Sequence, residues 1–210
     1  MAYDLEEQEQ IATLKSWWKD NGGIVLLVLT AIAIAVAGWR GWDWYQKTQS
    51  LAAGTYYDQL TKGMAANDPK AVRDASGALL ENHARSLYAS MGALASAKFL
   101  FDRNDLKAAK LQLQWVADKS PSAEFRDVAR LRLAGVLMDE KAYDEALKVL
   151  DAKHAEPFAA QYALLKGDIL VSKNQAAEAK AAYKLALEKG AKQSGTFRDG
   201  VQMRLDALGG

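Results

Sequence analysis

Residues 164–187 read LLKGDILVSKNQAAEAKAAYKLAL, and the apolar residues in this stretch recur every three or four positions. That spacing places them on one face of a helix, whereas a strand would require strict alternation of apolar and polar residues. Gly167 and Ala179 are small, and Tyr183 is large. Small residues let two antiparallel helices approach each other, and large residues fill the groove offered by a neighbour. The stretch therefore predicts a pair of packed helices.

The same order of small and large residues recurs upstream. Ala109, Ala146 and Ala179 are separated by 37 and 33 residues, close to the 34-residue period of the tetratricopeptide (TPR) helix-turn-helix unit. The matching positions are Ala134, Leu137, Tyr143 and Leu150 in the second unit, and Ala97, Leu100, Leu106, Leu113 and Pro121 in the first. The sequence predicts an all-α fold with a TPR-like helical-repeat domain (an α-solenoid) over 46–210, with repeats at about 90–123, 127–160 and 160–193.

Both ends of this array have sequence features of their own. A repeat array needs covered ends, because each unit buries only one face against the next unit. Phe197, Val201, Leu205 and Leu208 share one face of a helix predicted over 195–208, which would cap the C-terminal end. Upstream of the first repeat, the pair Asp68-Pro69 is typical of an N-cap followed by the first residue of a helix, and predicts a further helix pair.

The N-terminal region contains a long apolar run. Nineteen residues without an ionisable side chain separate Asp20 from Arg40, and as a helix they would span roughly 28 Å, about one hydrocarbon thickness. Tryptophans flank both ends of the run, as in two interfacial belts. We therefore predict a transmembrane signal anchor over 22–45, preceded by a head, residues 1–21, that carries the acidic residues Asp4, Glu6, Glu7 and Glu9.

Two alternatives to an anchor remain at this point. The segment Ala35-Val36-Ala37 has the small-x-small pattern that signal peptidase cuts, although the run is longer than the usual apolar region of a signal peptide and the head is acidic. A buried core helix is the second alternative. The orientation is not determined by charge, because two basic residues lie near each end of the run. A short head, one span and a large tail are the layout of a signal anchor with a cytoplasmic head.

Composition excludes several kinds of chemistry. The chain contains no cysteine, which rules out disulfides and thiolate metal sites, and its net charge of +1 without a basic cluster is not that of a nucleic-acid-binding protein. His83 and His154 lie 71 residues apart, and neither has a metal-ligand residue three or four positions later. No glycine-rich phosphate-binding string occurs. We predict a protein that is not an enzyme and uses no cofactor.

The first helices of TPR units line a groove, so their inward positions are the candidate binding surface. The repeat register assigns apolar residues to eight of these positions: Met91, Leu94, Phe101, Val128, Leu131, Met138, Leu164 and Val171. Methionine and phenylalanine suit adaptable recognition of apolar polypeptide segments. The alternative is that a neighbouring helix covers these residues and that they belong to the core.

The order of segments along the chain also resembles that of a known protein family. The acidic head, the span ending in GWRGWDWYQ, and the segments YASMGALASAKFLFDRNDLKAAKLQLQWVAD and FRDVARLRLAGVLMDEKAYDEALKVLD are similar to those of the YfgM-type ancillary subunits of the bacterial Sec translocon. This resemblance covers nearly the whole chain and rests on layout rather than on a catalytic signature.

The resemblance implies a single-pass protein of the bacterial inner membrane with a cytoplasmic head and a periplasmic TPR-like domain. The implied partners are the SecYEG channel, a membrane-anchored periplasmic prolyl isomerase, unfolded or emerging client proteins and the lipid bilayer, with no nucleic acid. The implied role links translocation to periplasmic chaperones. Two other functions stay open: a TPR scaffold for another envelope assembly complex, and an enzyme that uses His83 or His154.

Overall fold

A computed structural model describes the backbone of residues 2–209 and the side chains of residues 9–209. The side chains of Asp4, Glu6 and Glu7, which belong to the predicted acidic head, lie outside the described residues. The described chain is helical and divides into two compact units, Met1–Gln49 and Ser50–Gly210. The α-helices are α1 (Ala2–Ala65), α2 (Pro69–Asn82), α3 (Leu87–Phe101), α4 (Leu106–Lys119), α5 (Ala123–Asp139), α6 (Tyr143–Leu150), α7 (Ala159–Ser172), α8 (Ala176–Lys189) and α9 (Gly195–Ala207), and a 3₁₀ turn covers Glu156–Phe158.

The first unit consists of the N-terminal part of α1. This helix contains an 18-residue window with a mean hydropathy of 2.3, and it is long and apolar enough to cross a membrane. Only 6% of that window is buried, and large side chains such as Leu27 and Ile34 are exposed. A core helix of a soluble protein would bury these residues, so the exposure opposes that alternative. A signal sequence would meet the same length and composition criterion, and the uncleaved anchor therefore stays a prediction.

The second unit is an array of helices in which each helix packs mainly against its neighbours in sequence. The pairs are α3 with α4, α5 with α6, and α7 with α8, and α9 packs against α8. Residues 50–65 of α1 pack against α2, because Ala53 and Leu60 share a buried cluster with Val72 and Leu79. The TPR-like fold predicted from the sequence is confirmed. The predicted cap at 195–208 corresponds to α9, in which Val201 and Leu205 are buried.

The small positions of the repeat are the places of closest helix approach. Ala109, Ala146 and Ala179 have no exposed surface. A Cβ atom added to Gly167 would lie 2.4 Å from Cε1 of Tyr183, so the ring of Tyr183 occupies the space that any larger residue at position 167 would need. Small residues at these positions are therefore required by packing, as the sequence pattern indicated.

The turns inside the four helix pairs share one backbone geometry. The non-glycine residues Asn67, Asn104, Lys141 and Asn174 have φ angles of 56°, 62°, 62° and 60°. In each turn this residue donates its N–H to the carbonyl three positions earlier, and the next residue donates to the carbonyl five positions before itself. These two bonds define a Schellman motif, in which a left-handed residue ends the helix. The segment 50–82 is therefore a fourth unit of the array, with the same turn as the other three.

The helix α6 is the exception in this regular array. It has 8 residues, whereas the equivalent helices α4 and α8 each have 14. A connection containing a short 3₁₀ turn leads from α6 to α7.

Candidate protein-binding cleft

A cleft of about 410 Å³ opens between α3, α4 and α5. Its lining residues are Ala97, Lys98, Phe101, Asp102, Leu113, Arg132, Gly135, Val136, Met138 and Asp139. Two of the eight predicted groove residues, Phe101 and Met138, meet here. The walls are mostly apolar and the charged side chains lie on the two flanking helices, which is the usual character of a binding pocket.

The repeat itself explains why Phe101 and Met138 lie together. Each accepts a hydrogen bond from the left-handed residue of its turn: the N–H of Asn104 donates to Phe101 O at 2.8 Å, and the N–H of Lys141 donates to Met138 O at 2.9 Å. The two residues therefore occupy equivalent positions in the last turns of α3 and α5. Val171, another predicted groove residue, has the same position in α7, where its carbonyl accepts from Asn174 at 2.8 Å.

The cleft is lined both by buried core residues, namely Ala97, Leu113 and Val136, and by the more exposed apolar residues Phe101 and Met138. Phe101 is 37% exposed and Met138 is half-buried. Met138 also packs against the largest core cluster, so this side chain contacts both core and cleft. The aromatic ring of Phe101 is thus a large apolar surface left in solvent beside an open space.

The other predicted groove residues lie elsewhere. Leu94 is 7% exposed and belongs to the core cluster, because its position on α3 turns it towards residues of α4 and α5. Val128 and Leu131 are half-buried and pack on the same cluster, and Leu164 packs on the C-terminal cluster. Met91 is 37% exposed but does not line the cleft. Leu94 corresponds to the alternative of a covered core residue, and a binding role for the other positions stays a prediction.

Arg132, Gly135 and Asp139 are among the cleft residues that the sequence did not assign to the groove. Gly135 follows the small position Ala134 in the segment LRLAGVLM, and a Cβ atom added to it would meet no atom within 4 Å. A glycine inside a helix is unfavourable by roughly 0.5–1 kcal/mol relative to alanine. The sequence did contain one indication of the cleft. Gly135 lies inside a helix at a position where the repeat does not require a small residue.

Charge on the cleft rim is balanced. Lys98 Nζ lies 2.8 Å from Asp102 Oδ2, so these two residues of α3 neutralise each other. The side chains of Arg132 and Asp139 on α5 form no hydrogen bond or ion pair with any other described residue. One cation and one anion on α5 therefore keep their bonding capacity for solvent or a ligand.

His154 belongs to a buried polar network that serves a structural role. Asp127, 3% exposed, accepts hydrogen bonds from the N–H of Ala155 at 2.9 Å, from Arg130 Nη1 at 3.2 Å and from the Tyr162 hydroxyl at 3.3 Å. The His154 ring stacks on Tyr162 with centroids 4.3 Å apart. Burial, together with the neighbouring carboxylate of Asp127, raises the pKa of Tyr162 far above its usual range. Through its two carboxylate oxygens Asp127 joins α5 to the α6–α7 connection at Ala155 and to α7 at Tyr162.

A second network joins the C-terminal helices. The Tyr183 hydroxyl donates to Asp168 Oδ1 at 2.8 Å, and Arg204 Nε donates to the same atom at 3.0 Å. Asp168 of α7 therefore holds α8 and α9 in place. Burial, followed by the bond to Asp168, raises the pKa of Tyr183 well above its normal value. The two polar networks thus hold neighbouring helices together. Among residues 9–209, no group of three His, Cys, Asp or Glu side chains could hold a metal ion.

Comparison with known proteins gives a consistent result along the chain. Residues 15–210 match the family described as Tetratricopeptide repeat-like domain. An ancillary SecYEG translocon subunit of Haemophilus influenzae is 30% identical over 190 residues, which cover 90% of this chain and 93% of that protein. The protein of the same description from Escherichia coli K12 is 28% identical and covers 96% of both chains.

A solved structure is similar in fold. MamA from Desulfovibrio magneticus RS-1, residues 41 to the end, superposes with a TM-score of 0.51 at 17% identity, over 74% of this chain and 92% of that one. At this identity the similarity concerns the helical-repeat fold alone.

Proposed function

The chain belongs to the family of ancillary SecYEG translocon subunits that carry a tetratricopeptide repeat-like domain, and from this premise we propose that it is a membrane-anchored accessory subunit of the Sec translocon that works by binding other proteins. The observation that carries the proposal is the similarity to subunits of this description over the anchor as well as the repeat domain. A non-enzymatic role agrees with the structural use of the buried Asp127 and the partly buried Asp168.

We propose further that residues 22–45 span the inner membrane, with the head in the cytoplasm and the repeat domain in the periplasm. Exposed tryptophans at both ends support the span: Trp17 and Trp18 precede the apolar run, and Trp39, Trp42 and Trp44 close or follow it. Amphipathic rings of this kind favour the headgroup regions on the two sides of a bilayer.

The repeat domain binds polypeptides through the cleft between α3, α4 and α5. Its partners are emerging or unfolded client chains and a membrane-anchored periplasmic prolyl isomerase, so that the subunit links the channel to periplasmic folding factors. Phe101 and Met138 supply apolar surface, and methionine adapts to side chains of different shape. In protein interfaces, a few well-packed residues contribute most of the binding free energy.

Site-specific photocrosslinking in cells tests the two parts of this function. A photoreactive amino acid at Leu27 or Ile34, which are exposed on the span helix, is expected to crosslink to SecYEG subunits. The same amino acid at Lys98, on the cleft, is expected to crosslink to secreted chains or to the prolyl isomerase, whereas Lys184 on the exposed face of α8 serves as the matched control.

Absence of channel crosslinks from both span positions would contradict the role at the translocon. Crosslinks to the subunits of another envelope assembly would instead favour a scaffold for that assembly. Orientation is measured on the same cells: protease added after osmotic opening of the outer membrane should digest the repeat domain and spare the head.

A further inference from the structure

We propose that the cleft binds an extended polypeptide segment by accepting one bulky apolar side chain in the space above Gly135, while Arg132 and Asp139 hydrogen-bond to the backbone of that segment on either side. This inference rests on the proposed function, because it names the chemistry that the domain recognises. It assigns Gly135 as the residue that determines which side chains enter.

Gly135 provides the space. Every other helix position lining the cleft carries a side chain, and the missing Cβ of Gly135 would meet nothing within 4 Å. The surrounding walls from Ala97, Leu113 and Val136 are apolar, and Met138 closes one side. The cleft volume of about 410 Å³ lies within the range of roughly 300–1,000 Å³ of pockets that bury small ligands. A large apolar side chain therefore gains burial here, whereas alanine would leave most of the space empty.

Arg132 and Asp139 determine how a chain lies across the cleft. They stand three residues before and four residues after Gly135, on the same face of α5. Seven helical residues correspond to roughly 10 Å along the helix axis, and three residues of extended chain cover about the same length. The guanidinium of Arg132 donates and the carboxylate of Asp139 accepts, so the pair matches a peptide carbonyl and a peptide N–H.

The charge balance selects the class of ligand. A phosphate or nucleic acid would require several cations, because each phosphate carries a negative charge. The cleft instead offers one unpaired cation and one unpaired anion, since Lys98 is already paired with Asp102. A neutral peptide backbone with an apolar side chain satisfies both groups without leaving a charge uncompensated.

The test measures peptide binding to the full-length protein in lipid nanodiscs. The probes are blocked pentapeptides of sequence Ser-Gly-Xaa-Gly-Ser in which Xaa is Phe, Leu or Ala, and the readout is NMR of ¹³C-methyl methionines. Met138 reports on the cleft, and Met203, 68% exposed on α9, is the internal reference. We expect the Phe and Leu peptides to shift the Met138 signal and to bind about tenfold or more tightly than the Ala peptide, as burial of a large side chain predicts.

Two variants separate the apolar and polar parts of the site. Gly135→Leu fills the space and should abolish the Met138 shift, while Gly77→Leu, at another helix glycine with open space on α2, should leave the affinity unchanged. Arg132→Gln should weaken all three peptides by a similar factor of about three to ten, because it acts on the backbone rather than on Xaa.

Equal affinity for the Phe and Ala peptides, or binding that survives Gly135→Leu, would overturn the inference. Those results would not affect the expected crosslinks between the span helix and SecYEG subunits, so the role at the translocon would be tested separately. If those crosslinks were absent but the Phe and Leu peptides still bound more tightly than the Ala peptide, the translocon role would be refuted and the peptide site would be supported.

Discussion

The contrast between Gly167 and Gly135 provides the sharpest test of the helix packing. Both glycines lie inside α-helices, on α7 and α5, where replacement of glycine by alanine favours the helix by about 1 kcal/mol. At Gly135 the new methyl group meets no atom within 4 Å. We therefore expect Gly135→Ala to stabilise the fold by about 0.5–1 kcal/mol.

At Gly167 the same methyl group would lie 2.4 Å from Tyr183 Cε1 and 2.5 Å from Cδ1. Favourable carbon–carbon contacts lie at about 3.5–4.0 Å, so the ring must move. Tyr183 is 2% exposed and its hydroxyl is bonded to Asp168, which leaves it little freedom. Overpacking of this kind costs about 1–3 kcal/mol, and a weakened hydroxyl bond adds about 1 kcal/mol. After the helix gain is subtracted, Gly167→Ala should destabilise by about 1–3 kcal/mol.

The assay is thermal unfolding of full-length protein in detergent micelles, followed by circular dichroism at 222 nm. A change of 1 kcal/mol corresponds to about 2–4 °C in Tm for a chain of this size, so the two alanine variants should move in opposite directions. The double variant Gly167→Ala/Tyr183→Leu should lose less than the sum of its single changes, because the shorter side chain relieves the overlap. Equal stability of the two single alanine variants would refute the packing assigned to the repeat.

Three further substitutions and one mass measurement test other features. Lys141→Asn should stabilise by about 0.5–1 kcal/mol in urea unfolding, since asparagine tolerates the left-handed turn better than lysine; a loss would contradict the turn geometry. Asp127→Ala should lower the unfolding free energy by about 2–4 kcal/mol, as it removes the ion-pair partner of Arg130 and the acceptor of the part-buried Ala155 N–H, and an unchanged Tm would disprove the network. Ala146→Leu should cost about 1–3 kcal/mol, against less than about 0.5 for the exposed control Lys148→Ala. Intact mass of protein from membranes should include residues 1–37, and a chain starting at residue 38 would mean a cleaved signal.

The repeat could be predicted from sequence because helix packing restricts side-chain size. At the closest approaches only small residues fit, which made Gly167 and Ala146 recognisable without a structure. The fourth unit was predicted only as a helix pair, since the geometry it shares with the others lies in the backbone. The lysine at position 141 gives no indication of the left-handed turn, because this conformation is unusual for lysine.

The cleft was harder to predict. The register placed Phe101 and Met138 on first helices of neighbouring units but left open whether a neighbouring helix covers each predicted position. Whether a residue such as Leu94 is covered depends on the packing of consecutive units, which the spacing of apolar residues does not specify. The open space arises because Gly135 has no side chain. The periodicity of apolar residues does not indicate such a space.

The short helix α6 has a consequence for how the array holds together. Repeat arrays are stabilised by contacts between nearest neighbours, so the weakest junction determines whether the array unfolds as one body or in parts. In the second unit, the helix is six residues shorter than α4 and α8, and the carboxylate of Asp127 ties the connection that follows it to α5. The coupling between the two halves of the array thus depends on a buried anion as well as on the apolar core that spans this junction. Amide exchange in the α6–α7 connection would report the first separation of the N-terminal and C-terminal parts of the array.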